Sequence, residues 1–261
     1  RDVLGSRGLG DVYKRQVEEQ LKLVFPNVRC LRMDMDTTSG KTAHRDILDA
    51  FTRREADVLI GTQMVAKGLD IPNVTLVGVV FADSTLFHSD FRSSERTFQL
   101  LTQVAGRAGR ADKEGRVVIQ TNAPGHRAIR LCTKHDYKTF YNLEIGDRLR
   151  TLFPPFAVFV RAQFACADEN AAADAAERFA NGVTKTILTA LKPANAENEL
   201  VFALAGAAPI RRREGLFRYA VIIKLVRTAN TAAAINAIYA FSDGCADECY
   251  RGIEVNPQDM L

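Results

Sequence analysis

Gln103, Arg107 and Arg110 stand at spacings of four and three in the stretch Gln103-Val-Ala-Gly-Arg107-Ala-Gly-Arg110. On a helix those spacings put all three on one face. The segment Ser93 to Arg110 reads as such a helix, with Phe98, Leu101 and Ala105 on the opposite side, so the polar triad is aimed away from the core. Two guanidiniums on a rigid element suit a polyphosphate: their forked donors match its oxygens, and their charge stabilises a phosphoryl group in transfer. A face of merely solvated charge is the plain alternative.

Upstream, the apolar run Asp57-Val-Leu-Ile60 leads directly into Gly61-Thr62-Gln63-Met64-Val65-Ala66-Lys67-Gly68-Leu69-Asp70. A buried strand ending in Gly-Thr at a strand-to-helix turn presents backbone N–H groups and a hydroxyl together, which is a frequent arrangement for binding phosphate. The two stretches, in this order and about forty residues apart, resemble motifs five and six of superfamily 2 helicases. The resemblance narrows on four phrases: Gly61 to Asp70, the run Asp90 to Arg110 (D-F-R-S-S-E-R-T-F-Q-L-L-T-Q-V-A-G-R-A-G-R), Phe153-Pro-Pro-Phe156, and the ending Asn256-Pro-Gln-Asp-Met-Leu261. Together they are similar to the PriA family of bacterial replication-restart helicases, from about Val17 to the last residue.

That resemblance implies an ATP-dependent 3′-to-5′ DNA helicase that restarts stalled forks and assembles the primosome. Arg107 and Arg110 would reach the γ-phosphate of ATP bound to another lobe, with Gln103 positioning them. Gly68, Asp70 and Gly106 would lie on the nucleotide side, while Gly61, Thr62, Gln63 and Lys67 would touch the DNA backbone. Phe91, Arg92, Glu95 and Arg96 would relay between the two. The sequence contains neither a G-x-x-x-x-G-K-[ST] loop nor a D-E-x-H run, so ATP and magnesium would be shared with a lobe not on this chain, and the chain alone should not turn over ATP. The family's zinc-binding cysteines precede this segment, so no metal ligand is expected here. Implied partners are forked or single-stranded DNA, single-strand DNA-binding protein and other primosome proteins, with the protein a cytoplasmic monomer. The alternatives are another superfamily 2 DNA or RNA helicase, or a non-catalytic module lacking an ATP-binding half.

The fold expectation is α/β. From Val17 helices alternate with strands at 28–33, 57–60, 74–81 and 116–121, which reads as a RecA-like helicase C-terminal lobe at 17–124 with a parallel sheet. The family places another strand before Val17, so one sheet position is expected to be missing and an edge exposed. A helical connector follows at 125–150. Residues 151–261 then read β-α-β-β-α-β, a ferredoxin-like α+β domain, with Val158, Val160, Ala162 and Phe164 alternating on its first strand and Phe179, Val183 and Ile187 forming one helix stripe. Between its two central strands, the basic loop Arg211-Arg-Arg213, with Arg218 beyond, suits phosphates or an acidic tail; a solvated hairpin with Phe217 and Tyr219 in the core is equally compatible. Residues 1–16 lack the apolar core of a signal peptide and read as a translated sequencing adapter, expected to be disordered.

Composition narrows little further. With 35 Lys and Arg against 31 Asp and Glu, net charge is only +4, a weak argument for nucleic acid. No apolar run approaches the roughly 18 to 20 residues that cross a bilayer. Cys30, Cys132, Cys166, Cys245 and Cys249 form no disulfide framework, which suits a reducing compartment. Cys245 and Cys249 have no matching pair for zinc, the four histidines are dispersed, and Asp34 and Asp36 read as a strand-end cap.

Overall fold

The computed structural model describes residues 7–33, 43–61, 74–106, 115–191 and 199–258. The chain divides into two compact units, one comprising 1–87 with 94–137, the other 88–93 with 138–261.

In the first unit, helix α1 (Arg7–Val24) begins ten residues before Val17. The expectation of disorder up to Gln16 is therefore corrected from Arg7 onward. Once a helix has nucleated at 17–24, extending it adds one hydrogen bond per residue fixed, and contacts hold the extension: Lys14 is buried and Tyr13 stacks on Phe81 at 6.5 Å. Strand β1 (Cys30–Met33), helix α2 (Ala43–Thr52) and strand β2 (Val58–Gly61) follow, then β3 (Leu76–Val79), a single-turn helix α3 (Asp83–Leu86), α4 (Ser93–Ala105), β4 (Arg116–Ile119) and α5 (Arg127–Cys132). The strands are parallel, but among the described residues they form two separate pairs, β1 with β2 and β3 with β4, instead of the single sheet expected. Leu76 and Val118 remain more than half exposed on the second pair. Arg29 clamps the entry to β2 by a forked bond to Asp57 (2.8 and 3.1 Å), which holds that carboxyl down at about 2.

After its short segment at 88–93, the second unit continues with helix α6 (Tyr137–Thr151), most of which it holds, so the connector expected at 125–150 is two helices shared between units. Strand β5 (Ala157–Cys166), helix α7 (Glu169–Ala190), strands β6 (Leu200–Arg213) and β7 (Leu216–Val226), helix α8 (Thr231–Asp243) and strand β8 (Tyr250–Val255) give β-α-β-β-α-β. The antiparallel sheet has the order β6-β7-β5-β8. This is the ferredoxin-like arrangement.

Its core lies between the sheet and its two helices. Val160, Ala162 and Phe164 of β5 and Val221, Ile223 and Leu225 of β7 meet Phe179, Val183 and Ile187 of α7. Asp168 caps α7 by accepting the Ala171 N–H at 2.8 Å. Gly182 lets the Phe241 ring of α8 pack close to that helix: a Cβ there would lie 2.4 Å from the ring, which would have to shift.

The opposite sheet face departs from a simple polar-out alternation. Phe159 is buried at 3% and Lys224 at 7%. Phe153 stacks on Phe159 at 5.7 Å, and Phe91 stacks on Phe153 at 5.0 Å. The Lys224 ammonium lies 4.6 Å from the Phe153 ring and donates to the Thr151 carbonyl at 2.8 Å, while burial lowers its pKa. This end of the outer face is therefore a second, smaller core with a cation inside it.

Candidate nucleotide and nucleic-acid interface

Helix α4 carries the face on which the polar triad begins. Phe98 and Leu101 are buried at 3% and 1%, and Gln103 is exposed on the other side. Ala105 is half-buried, and the Gly106 N–H closes the final turn on the Thr102 carbonyl at 3.1 Å. Arg107 and Arg110 lie outside the described residues.

The start of α4 is fixed by the residues before it. Asp90, whose side chain has no exposure, accepts both the Arg92 backbone N–H (2.8 Å) and its guanidinium (2.9 Å), and Arg92 donates onward to the Pro257 carbonyl at 3.1 Å. Ser93 Oγ donates to the His88 carbonyl at 2.6 Å. The Phe91 ring carries the Arg92 guanidinium at 4.7 Å and that of Arg148 at 5.1 Å. Residues 88–93 thus belong to the second unit, although α4 continues into the first. We expect Phe91→Ala to remove about 2 kcal/mol from this anchor, the scale of a half-buried aromatic with a stacking partner. Hydrogen exchange at 88–93 should accelerate markedly while that of α7 is unchanged; equal rates in both variants would contradict it.

Gly61 ends β2, paired with Met33, and is exposed. Gly61 and Met33 mark the same end of β2 and β1, because the two strands are parallel. Thr62, Gln63, Lys67, Gly68 and Asp70 lie outside the described residues, as do Asp34 and Asp36.

The basic segment of the second unit is a strand ribbon, not the loop expected. Strands β6 and β7 run to Arg213 and from Leu216, closed by a two-residue turn at Glu214 (φ 54°) and Gly215 (φ 83°). Positive φ at both positions is the hairpin turn that matches strand twist, and Gly215 takes it without strain. Arg211 is bound by Glu169, Arg213 by Glu214 at 3.3 Å, and Arg212 covers the Phe217 ring at 4.9 Å. Tyr219 packs on the core and donates to Glu169 at 3.2 Å, whereas Phe217 is half-buried under its arginine. Arg218 projects to the outer sheet face, with Arg161, Gln163 and Arg251 lining the same concavity. Sequence reading missed those last three; they sit on alternate strand positions, but only the pairing register brings them together.

Among the described residues, no group of three His, Cys, Asp or Glu side chains could hold a metal ion, and no helix is long and apolar enough to cross a membrane. All five cysteines are free. Cys166 and Cys249 are neighbours, and the Ala165 N–H donates to the Cys249 carbonyl at 2.7 Å. Hydrogen bonds from the Cys249 thiol and the Asp168 N–H lower the Cys166 pKa, whereas burial pushes Cys249 up to about 12. Iodoacetamide should therefore alkylate Cys166 before Cys249 at every pH from 6 to about 9, because the thiolate is the nucleophile. Peptide mass spectrometry reads the order, and earlier labelling of Cys249 would contradict it.

Residues 12–112 match the family of the helicase conserved C-terminal domain. The replication restart protein PriA of Bacillus subtilis (strain 168) is 44% identical over 224 residues, which are 86% of this chain and 27% of that protein. The PriA of Synechocystis sp. is 49% identical over 146 residues, covering 56% of this chain and 18% of the relative, and that of Haemophilus influenzae is 45% identical over 153 residues, covering 59% and 20%. The chain thus spans about a fifth to a quarter of the length of these curated relatives. Its helicase C-terminal domain and its 44% identity over most of its length place this chain in the PriA replication-restart family, as a segment of such a protein.

Proposed function

We propose that this segment completes the motor of an ATP-dependent, 3′-to-5′ DNA helicase acting in replication restart, supplying its arginine fingers and part of its DNA track. The carrying observation is helix α4: it buries Phe98 and Leu101 and exposes Gln103, the first member of the Gln103, Arg107, Arg110 spacing in the sequence.

By their sequence spacing from Gln103, Arg107 and Arg110 are proposed to face a ligand outside this lobe, on the side that Gln103 exposes. The ligand that suits two guanidiniums at that spacing is the γ-phosphate of ATP bound to the protein's other lobe. In that reading Gln103 positions the arginines, Gly68, Asp70 and Gly106 border the nucleotide, and Gly61, Thr62, Gln63 and Lys67 follow the DNA backbone. Closing on ATP and reopening after hydrolysis would advance the lobe along one strand.

Magnesium would be held by the other lobe, and zinc by residues not on this chain. Arg211, Arg212, Arg213 and Arg218 are proposed as further phosphate contacts, although Glu169 and Glu214 already engage two of them. The proposed setting is cytoplasmic and monomeric, with forked or single-stranded DNA, single-strand DNA-binding protein and primosome proteins as partners. DNA-stimulated ATP turnover of the full-length protein with and without Arg110 tests the reading, and the isolated chain should be silent in the same assay.

A further inference from the structure

Cys166 closes strand β5, and Cys249 stands immediately before strand β8. The two strands are antiparallel neighbours from Val160 to Phe164, so the end of one lies beside the start of the other. The Ala165 N–H carries that pairing one residue further by donating to the Cys249 carbonyl at 2.7 Å. Cys166 continues the inward alternation of Val160, Ala162 and Phe164 and packs against the core to which Cys249 belongs. Both side chains therefore lie on one side of the sheet. Their sulfurs share a hydrogen bond although the residues are 83 positions apart in the chain.

We propose that Cys166 and Cys249 are a redox pair, which a low-molecular-weight disulfide oxidises to an intramolecular bridge that fastens the start of β8 to the end of β5. A bridge needs two side chains that converge, and this pair already does. The two thiols have different roles. Cys166 is half-buried, whereas Cys249 is 5% exposed. The Cys249 thiol and the backbone N–H groups of Asp168 and Ala167 all donate to the Cys166 sulfur, which favours its thiolate. Cys166 is thus the attacking sulfur and Cys249 the resolving one.

In the first step the Cys166 thiolate attacks one sulfur of the small disulfide, forming a mixed disulfide and releasing one small thiolate. Cys249 then attacks the Cys166 sulfur, and the second small thiolate leaves. Asp247, which accepts the Cys249 N–H at 2.9 Å and lies within hydrogen-bond reach of its thiol, relays the Cys249 proton to the departing thiolate. Two protein thiols are oxidised and one small disulfide is reduced to two thiols. In a reducing compartment the pair stays open, as redox-sensing thiols do, and closes when oxidised disulfide accumulates.

The bridge acts on a strand with one neighbour. In the order β6-β7-β5-β8, only β5 holds β8. Beyond its far end, the Asn256 N–H donates to the Phe159 carbonyl at 2.7 Å and the Pro257 carbonyl receives Arg92 at 3.1 Å. Oxidation therefore adds a covalent tie at the near end of a strand whose far end meets the Asp90-Phe91-Arg92 anchor.

The test treats the folded 261-residue chain with glutathione disulfide, quenches with acid and N-ethylmaleimide, and maps the five cysteines by peptide mass spectrometry. A Cys166–Cys249 bridge should dominate and be reversed by dithiothreitol. It should form about tenfold faster than adducts at Cys30 or Cys132, whose thiols burial pushes up. Cys249→Ala should trap the glutathione adduct on Cys166, and Cys166→Ser should abolish the bridge, which keeps the test decisive if the first variant misfolds by circular dichroism. Cys245→Ser should leave the rate within about twofold of the parent. Hydrogen exchange at 250–255 should slow at least about tenfold on oxidation, because the bridge closes a long loop. A bridge to Cys245, a stable Cys166 adduct without a bridge in the parent, equal reaction of all five thiols, or unchanged exchange in β8 would each overturn the proposal.

Discussion

Arg110→Ala in the full-length protein is expected to lower DNA-stimulated ATP turnover by about 10³-fold or more, the range over which arginine fingers act. The transferring phosphoryl group offers little covalent chemistry for a protein to perform, so positioned positive charge carries most of the barrier reduction. Arg107→Ala should fall in the same range. Lysine should restore little at either position, because an ammonium cannot reproduce a forked donor. Affinity for DNA without nucleotide should stay within about twofold, since the charge is needed mainly in the transition state. Measuring kcat and the DNA Kd on the same preparations separates the two effects. Turnover near that of the parent would remove the basis for reading Gln103, Arg107 and Arg110 as one nucleotide-facing group.

Phe164→Ala should be the most destabilising single change in the second unit, at about 3–5 kcal/mol. Its ring is 1% exposed and meets Phe179 edge-on at 5.5 Å and Tyr250 at 5.5 Å, joining β5 to α7 and to β8. Truncation leaves a cavity walled by three elements that also pack on one another, so collapse can fill little of it. Against a total of about 5–15 kcal/mol for a domain, that loss consumes about a fifth or more. The slowest-exchanging amides of β5 and β7 should lose protection by the matching factor of about 10² to 10⁴. A shift below about 1 kcal/mol would mean that the core does not depend on this ring.

The strongest parts of the sequence reading came from long periodic segments. Phe179, Val183 and Ile187 fall on one stripe of α7 and are buried, and Val160, Ala162 and Phe164 alternate into the same core. The spacing of Phe98, Leu101 and Gln103 likewise fixed which side of α4 faces solvent. What failed depended on partners distant in the chain. Lys224 reads as a solvent-facing strand residue, yet Phe153 and Phe159 cover it; no local pattern announces a covering segment. The Arg211 to Arg213 ribbon looked like a loop because Pro209 and Gly215 flank it, whereas the Glu214-Gly215 turn lets both strands extend. Its charges looked available because Glu169, some forty residues earlier, cannot be matched to Arg211 from spacing alone. Arg161, Gln163 and Arg251 were passed over for the same reason, since three strands must be registered before they share a face.

The grouping of 88–93 with the second unit imposes an order on biosynthesis. The chain enters that unit for six residues, leaves it, and returns at 138. Phe91 therefore emerges from the ribosome 68 residues ahead of Phe159, one of the rings it stacks on. At about 5–20 residues per second its apolar ring waits roughly 3 to 14 s for a surface to cover it. For the same reason no single cut yields both units intact: a boundary at 137 strands the Asp90-Phe91-Arg92 anchor on the wrong piece, and one at 87 carries α4 and β4 away from β3.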